Sequence, residues 1–242
     1  MLDYHQVITA CPICQGTGYV DFELCSCWLN YRVSVYLSSG NFSVNILKYV
    51  SDTKYVVPMI ESGESSLDYM IQNPDKVLDR GLSLYVFSRE AGRGKTCLVT
   101  YIVKEISKHF LKTENYRSGF SVAFQTANDL LDDALAFNPV EAWKTASIYV
   151  LDDLGNENRA TKQKREAMAP SLQRVLQYRR NEGLPTLITA NYTPEDLGNL
   201  YEGRINSLLE IDLEGTIHGN LFRQIEVGGG EDLRTLTSAW ED

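Results

Sequence analysis

The stretch LSLYVFSREAGRGKTCLVTYIVKEI, residues 82–106, decides the fold. Its first six residues are a short apolar run of strand length that stops at a glycine-containing turn. From Lys95 onward Leu98, Ile102, Ile106 and Phe110 recur at a spacing of four, which lays one apolar stripe along a helix. A turn between strand and helix is where backbone can wrap a phosphate. Gly92 and Gly94 let successive N–H groups and the helix N-terminus face an anion. Lys95 is placed to reach the outer phosphates, and Thr96 to offer its hydroxyl to Mg²⁺. One residue departs from the pattern G-x-x-x-x-G-K-[ST]: Arg89 stands where the first glycine belongs. Either the loop opens with a different backbone angle, or Arg89 itself touches nucleotide or a neighbouring subunit.

Outward from this turn the chain alternates strands and helices. SVAFQT (121–126), SIYVLDD (147–153) and PTLITAN (185–191) read as further strands, with helices through NDLLDDALAF and through the basic segment after residue 158. That alternation implies an α/β fold, a parallel sheet covered by helices on both faces. The third strand delivers Asp152 and Asp153 at its carboxyl end. Two adjacent acids at a buried strand end need a cation or a shared proton. With a GKT turn upstream, Asp152 reads as a Mg²⁺ ligand and Asp153 as the group that polarises the attacking water. Asn191 ends the next strand: alone it reads as a turn former, and only a nucleotide site of this kind would give it the task of positioning that water.

Composition bounds the function. A chain of 242 residues with net charge −9 is an ordinary globular protein and not a passive nucleic-acid coat. No apolar run is long enough to span a membrane, and MLDYHQVITACP lacks the basic flank and apolar core of a secretory signal, so a cytoplasmic protein is expected. Charge is uneven: residues 81–194 carry 15 Lys/Arg against 12 Asp/Glu, whereas 195–242 carry 3 against 11. The region 58–80 is polar, punctuated by Gly63, Pro74 and Gly81, and reads as a linker with short helices. Three parts are therefore expected: an N-terminal module over 1–57, the linker, and a nucleotide-binding domain over 81–242.

Taken together, GRGKT, VLDDLGNE, LITANY, EGRINSLL and HGNLFRQ resemble the bacterial and phage helicase loaders of the DnaC/DnaI kind, AAA+ ATPases related to the IstB transposition ATPases. The resemblance covers about residues 82–225. It implies a P-loop AAA+ core in which ATP contacts the backbone from Gly92 through Arg93, Gly94, Lys95 and Thr96 to Cys97. It also implies self-association through the ATP site, with Arg204 completing a neighbour's site as an arginine finger. Arg223 matches the arginine that senses nucleotide within its own subunit. Loaders of this group bind single-stranded DNA, which makes Lys162, Lys164, Arg165, Arg174 and Arg179 candidates for phosphate contacts. A solvated helix face is the competing reading of that charge run. The partner implied is a hexameric replicative helicase. An IstB-like regulator of transposition and a non-hydrolysing helicase-binding adaptor are the competing functions.

Four of the five cysteines lie in ACPICQGTGYVDFELCSCW, residues 10–28, as C-x₂-C and C-x-C. In a reducing compartment paired cysteines bind metal more often than they form disulfides. Cys11, Cys14, Cys25 and Cys27 suit tetrahedral zinc, with Gly16 and Gly18 letting the backbone fold around it. Packed thiols and an iron–sulfur cluster are the other readings. Such a short segment builds no core alone, so a metal would supply its folding free energy. Gram-positive-type loaders and related phage proteins carry a similar segment, and the resemblance implies a module that docks on the helicase. DnaC itself lacks these cysteines. Cys97 reads as a small buried hydrophobe.

Overall fold

The computed structural model describes residues 11–43, 46–47, 60–112, 119–136, 141–156, 162–201 and 222–228. A two-stranded hairpin, β1 (Tyr19–Val20) and β2 (Glu23–Leu24), leads into helix α1 (Ser26–Ser39). The core then runs β3 (Ile60–Ser62), α2 (Glu64–Gln72), α3 (Pro74–Arg80), β4 (Ser83–Phe87) and α4 (Lys95–Lys112). It continues β5 (Val122–Thr126), α5 (Ala127–Leu135), α6 (Ala142–Thr145), β6 (Ile148–Leu154) and α7 (Lys162–Asn181). The last elements are β7 (Thr186–Ala190), α8 (Pro194–Leu200) and β8 (Phe222–Val227).

The six-stranded sheet has the order β3-β8-β4-β7-β6-β5. β4, β5, β6, β7 and β8 pair in parallel, and only β3 at one edge is antiparallel. Crossover helices cover both faces, as the alternating pattern requires. Within β4 the period of two sorts the side chains: Leu84 and Val86 enter one core, Tyr85 and Phe87 the other. The first core holds Leu98, Ile102, Ile106 and Phe110, the stripe legible in the sequence. The second is closed by Leu130 and Leu131 of α5, Trp143 of α6, and Met168, Leu172, Val175 and Leu176 of α7.

The expected linker is not one. β3 pairs with β8, and Leu67, Met70 and Val77 are buried in the first core, so residues 60–80 are built into the domain. Short helices do form there, as the punctuation suggested. Pro74 opens α3, and Gly81 closes it at φ 62. Helix α1 also belongs to the core, through Val33 and Leu37. The Tyr36 hydroxyl donates to Phe120 O at 2.5 Å, and Phe124 N donates to Gly40 O at 2.8 Å. A Cβ on Gly40 would lie 2.6 Å from Val122 O, so only glycine allows the chain this close to β5. The end of α1 thereby covers a sheet edge that would otherwise be open to pairing. No helix among the described residues is long and apolar enough to cross a membrane.

Candidate functional site

Inserting β7 between β4 and β6 decides the site's geometry. It brings the carboxyl end of β7 between the glycine turn after β4 and the acids at the end of β6, the crevice where open α/β sheets bind ligands. In the turn, Gly92 and Gly94 adopt φ 79 and 81, the left-handed backbone that turns N–H groups inward. Arg89 is exposed and is not among the positive-φ residues, so the first position of the pattern has no need of glycine here. Arg93 pairs with Glu90, its Nε 2.6 Å from the carboxylate. Lys95 is 7% exposed, with Nζ 2.7 Å from Asn191 Oδ1 and 3.2 Å from Glu90 O. Cys97 packs against the first core, and burial pushes its thiol up to about 11, so it stays protonated.

The two acids are held differently. Asp152 is 8% exposed, and its carboxylate meets the Thr96 hydroxyl at 2.9 and 3.1 Å and the Thr189 hydroxyl at 2.6 Å. Burial raises its pKa, the two hydroxyls pull it back, and neighbouring Asp153 raises it again. The β6–β7 register shifts between Leu151 and Leu154, and Asp153 sits inside that irregularity at φ 60. A non-glycine residue in left-handed backbone is strained, and such strain concentrates at functional sites. Asp153 N–H donates to Thr189 Oγ1 at 2.8 Å. Its carboxylate accepts from Asn191 Nδ2 at 3.2 Å and from Asn156 Nδ2 at 2.5 Å.

Asn191 thus bridges Lys95 and Asp153, its carbonyl on one and its amide nitrogen on the other. Thr96 and Asp152 offer hard oxygen donors from a half-dry site, a set that suits Mg²⁺ rather than a soft metal. The structure brings Lys95, Thr96, Asp152, Asp153 and Asn191 together. It adds two residues that sequence reasoning missed. Thr189 carried a signal, a hydroxyl two residues before Asn191 and directly after the apolar Leu187 and Ile188. Asn156 carried none.

The four N-terminal cysteines also converge. Their sulfurs lie within 4.8 Å of one another, with Cys11–Cys25 at 3.9 Å and Cys14–Cys27 at 3.5 Å. A disulfide needs about 2.05 Å, whereas ligands at about 2.3 Å around a tetrahedral zinc stand about 3.8 Å apart. Gly16 and Gly18 take φ 88 and 76, turning the chain between the half-sites. Burial works to raise the Cys14 thiol, but hydrogen bonds from the Gly18 and Gly16 backbone and from Cys27 outweigh it and bring it down to about 6. Backbone hydrogen bonds at Cys14 and Ile13 lower Cys11 too, and burial pushes Cys27 up. The Asp21–Phe22 turn of the hairpin has φ 49 and 69, the left-handed pair of a two-residue turn that normally takes Asn-Gly. Phe22 is fully exposed there, beside exposed Ile13, Tyr19 and Val20.

No family model matches the chain. Over 119 residues, 49% of this chain, the sequence is 29% identical to the replicative helicase loader DnaI of Bacillus subtilis (strain 168); the match spans 36% of that protein. Among solved structures, domain III of the replication initiation protein DnaA from Thermotoga maritima aligns with a TM-score of 0.51 at 16% identity, over 77% of this chain and 73% of that one. The core shares the fold of that domain. A proposed primosome component from Streptococcus pyogenes serotype M3 aligns with a TM-score of 0.47 at 20% identity, over 74% and 91% of the two chains. In sequence the chain is similar to the DnaI-type loaders, as GRGKT, VLDDLGNE and LITANY indicated.

The remaining expected residues do not gather at this site. Arg204 lies outside the described residues. Lys162, Lys164 and Arg165 lie in the first turn of α7, and their side chains are outside the described part of the molecule. Arg174 is exposed on α7, 3.3 Å from Glu141 and over the Trp143 ring. Arg179 is a correction: it is fully buried and cannot reach DNA. Its guanidinium donates to Thr186 Oγ1 at 2.9 Å, Ala146 O at 2.9 Å, Pro185 O at 2.6 Å and Trp143 O at 2.5 Å. These four acceptors take four of its five N–H donors, so the residue ties α7 to α6 and β7. Arg223 stands on β8 opposite Leu84, at the amino end of the parallel strands, with its guanidinium 4.3 Å from the Tyr69 ring of α2. The glycine turn follows Phe87 at the other end of β4.

Proposed function

We propose that this chain is an ATP-dependent loader of a hexameric replicative helicase onto single-stranded DNA during replication initiation, acting in the cytoplasm of a bacterial or phage-infected cell. The observation that carries the reading is the convergence of Lys95, Thr96, Asp152, Asp153 and Asn191 at one end of the sheet, in a chain whose sequence is similar to DnaI.

The backbone from Gly92 to Cys97 cradles the phosphates of ATP, and Lys95 exchanges Asn191 for a phosphate oxygen. Thr96 and Asp152 hold Mg²⁺, which when bound neutralises charge on the phosphates. Asp153 orients and deprotonates the attacking water, with Asn191 fixing its position between Asp153 and the terminal phosphate. Arg204 of one subunit completes the site of the next, so ATP binding drives self-association. Lys162, Lys164, Arg165 and Arg174 track the phosphates of single-stranded DNA.

Cys11, Cys14, Cys25 and Cys27 hold zinc, and the metal-folded turn presents Phe22, Ile13, Tyr19 and Val20 to the helicase. That turn carries Asp21 and Glu23, and no Lys or Arg precedes Arg32. With four thiolates on a divalent ion its charge is negative, which suits a protein partner and repels nucleic acid.

Co-purification with the replicative helicase of the same cell, with and without ATP, tests the reading, with zinc measured on the same sample. The helicase and one zinc per chain are expected, and ATP turnover stimulated by single-stranded DNA. Lys95→Ala should lower turnover roughly 10²–10³-fold, the loss typical when one charge-stabilising donor is removed. Turnover at the wild-type rate in that variant would refute the site. Recovery of a transposase in place of the helicase would support the transposition reading.

A further inference from the structure

We propose that Thr189 is a positioning residue for the metal–nucleotide site, its single hydroxyl fixing Asp152 and Asp153 at once. The inference rests on the ATPase reading above. Thr189 lies on β7, 1% exposed, with no path to substrate or solvent. Its Oγ1 donates to Asp152 Oδ1 at 2.6 Å, the short distance of a hydroxyl on a charged carboxylate. The same oxygen accepts from Asp153 N–H at 2.8 Å. A hydroxyl has one proton to give and lone pairs to receive, so both bonds form together without competition.

The second bond has structural meaning because β6 is irregular there. The pairing of β6 with β7 skips between Leu151 and Leu154, which takes Asp153 N–H out of the regular ladder. Buried backbone donors are almost always paired, and here the Thr189 side chain replaces the missing carbonyl. That bond holds Asp153 at φ 60, and with this backbone the side chain turns toward Asn191. The first bond turns the Asp152 carboxylate toward Thr96, the other expected metal donor. One buried oxygen therefore sets the angle between the metal-binding acid and the water-polarising acid. Residues that orient metal ligands in this way commonly change metal affinity when replaced.

The experiment compares Thr189→Val, which keeps the shape and loses both bonds, with Thr189→Ser, which keeps the hydroxyl. Binding of a fluorescent non-hydrolysable ATP analogue is titrated with Mg²⁺, and amide exchange at Asp153 is followed in the nucleotide-free protein. Thr189→Val should need roughly 10–100-fold more Mg²⁺ for half-maximal binding, the range for loss of an outer-shell partner. Analogue affinity at saturating Mg²⁺ should stay within about twofold, since the turn residues that hold the phosphates are untouched. The Asp153 amide should lose its protection, and Thr189→Ser should restore both properties. A role in packing alone would lower Tm without moving the Mg²⁺ midpoint. If Thr189→Val does not fold, Thr189→Ala carries the same comparison. Unchanged Mg²⁺ dependence with a protected Asp153 amide overturns the proposal. A wild-type protein that binds no nucleotide overturns the ATPase reading and this inference with it, whereas wild-type binding with an unaffected valine variant overturns this inference alone.

Discussion

The phosphate turn and the cysteine turn are both short, glycine-punctuated stretches, yet they are held by opposite means. At the phosphate turn the functional side chains are gripped by elements far away in sequence. Lys95 meets Asn191 across 96 positions, and Thr96 meets Asp152 across 56. The sheet assembles that site before any ligand arrives. At the cysteine turn the buried cluster consists of Cys11, Cys14 and Cys25, with Cys27 packed against it. Its backbone bonds are local, such as Gln15 N to Cys11 O and Cys25 N to Gly18 O. A cluster of thiols offers little apolar area, and the zinc proposed above would supply the stability that burial does not. The first site is a product of the fold, whereas the second, on the zinc reading, is a condition for its own local fold.

Removing metal breaks the comparison most sharply. Structural zinc contributes apparent free energies of about 10–16 kcal/mol in small domains. A strong chelator, or Cys14→Ser, should abolish metal binding and unfold residues 11–25, seen as lost amide protection there. ATP binding should change less than about twofold, because the phosphate site draws nothing from the cysteines. Loss of ATP binding together with zinc would show that the two regions fold as one.

The next largest effect concerns Arg179. Replacing it by alanine takes a donor from the carbonyls of Trp143, Ala146 and Pro185, of which Pro185 keeps the Tyr149 N–H. The loss should be roughly 2–5 kcal/mol, from buried acceptors left short of a donor and from the cavity where the side chain packed. Urea unfolding measures it. Affinity for single-stranded DNA in the surviving folded fraction should match wild type. A variant of unchanged stability and weakened DNA binding would return Arg179 to the exposed face.

These residues also mark how far the sequence was legible. The strand–turn–helix of 82–106 was readable because its apolar periodicities are local and its glycines sit where left-handed backbone is needed. β8 was not readable as a strand: FRQIEV mixes polar residues into a short run whose partners are β4 and β3, more than a hundred residues earlier. The same non-local pairing hid the place of residues 60–62 in the sheet, so a polar stretch looked like a linker. Arg179 was misread through its charge. Its spacing held the contrary signal, since Leu172, Val175 and Leu176 stand seven, four and three residues before it and all are buried. The acids of β6 were legible as a pair, but not the left-handed backbone of Asp153. That conformation depends on a hydroxyl from the neighbouring strand.

The smallest effect sharpens the contrast from the nucleotide side. A site assembled in advance keeps a buried carboxylate at Asp152, and burial raises its pKa above the usual carboxylate value. For an acid raised in the fold, the unfolded chain ionises first. Stability of the nucleotide-free protein therefore falls as pH rises from the unfolded pKa through the folded one, and stays reduced at neutrality. Asp152→Asn removes that penalty while keeping the side chain's shape and its contacts with Thr96 and Thr189. The variant should be more stable than wild type at pH 7 by about 0.5–2 kcal/mol, the range of a single stabilising substitution. The gain should shrink as pH falls and vanish where Asp152 is protonated in both states. Thermal melts of both proteins, followed from pH 7 down into the acid range, measure the difference. Mg²⁺ should cancel the wild-type deficit in the presence of nucleotide and do nothing for the asparagine variant. A variant less stable than wild type at pH 7 would show that the two hydroxyls already compensate the buried charge, and that the site is at rest without its ion.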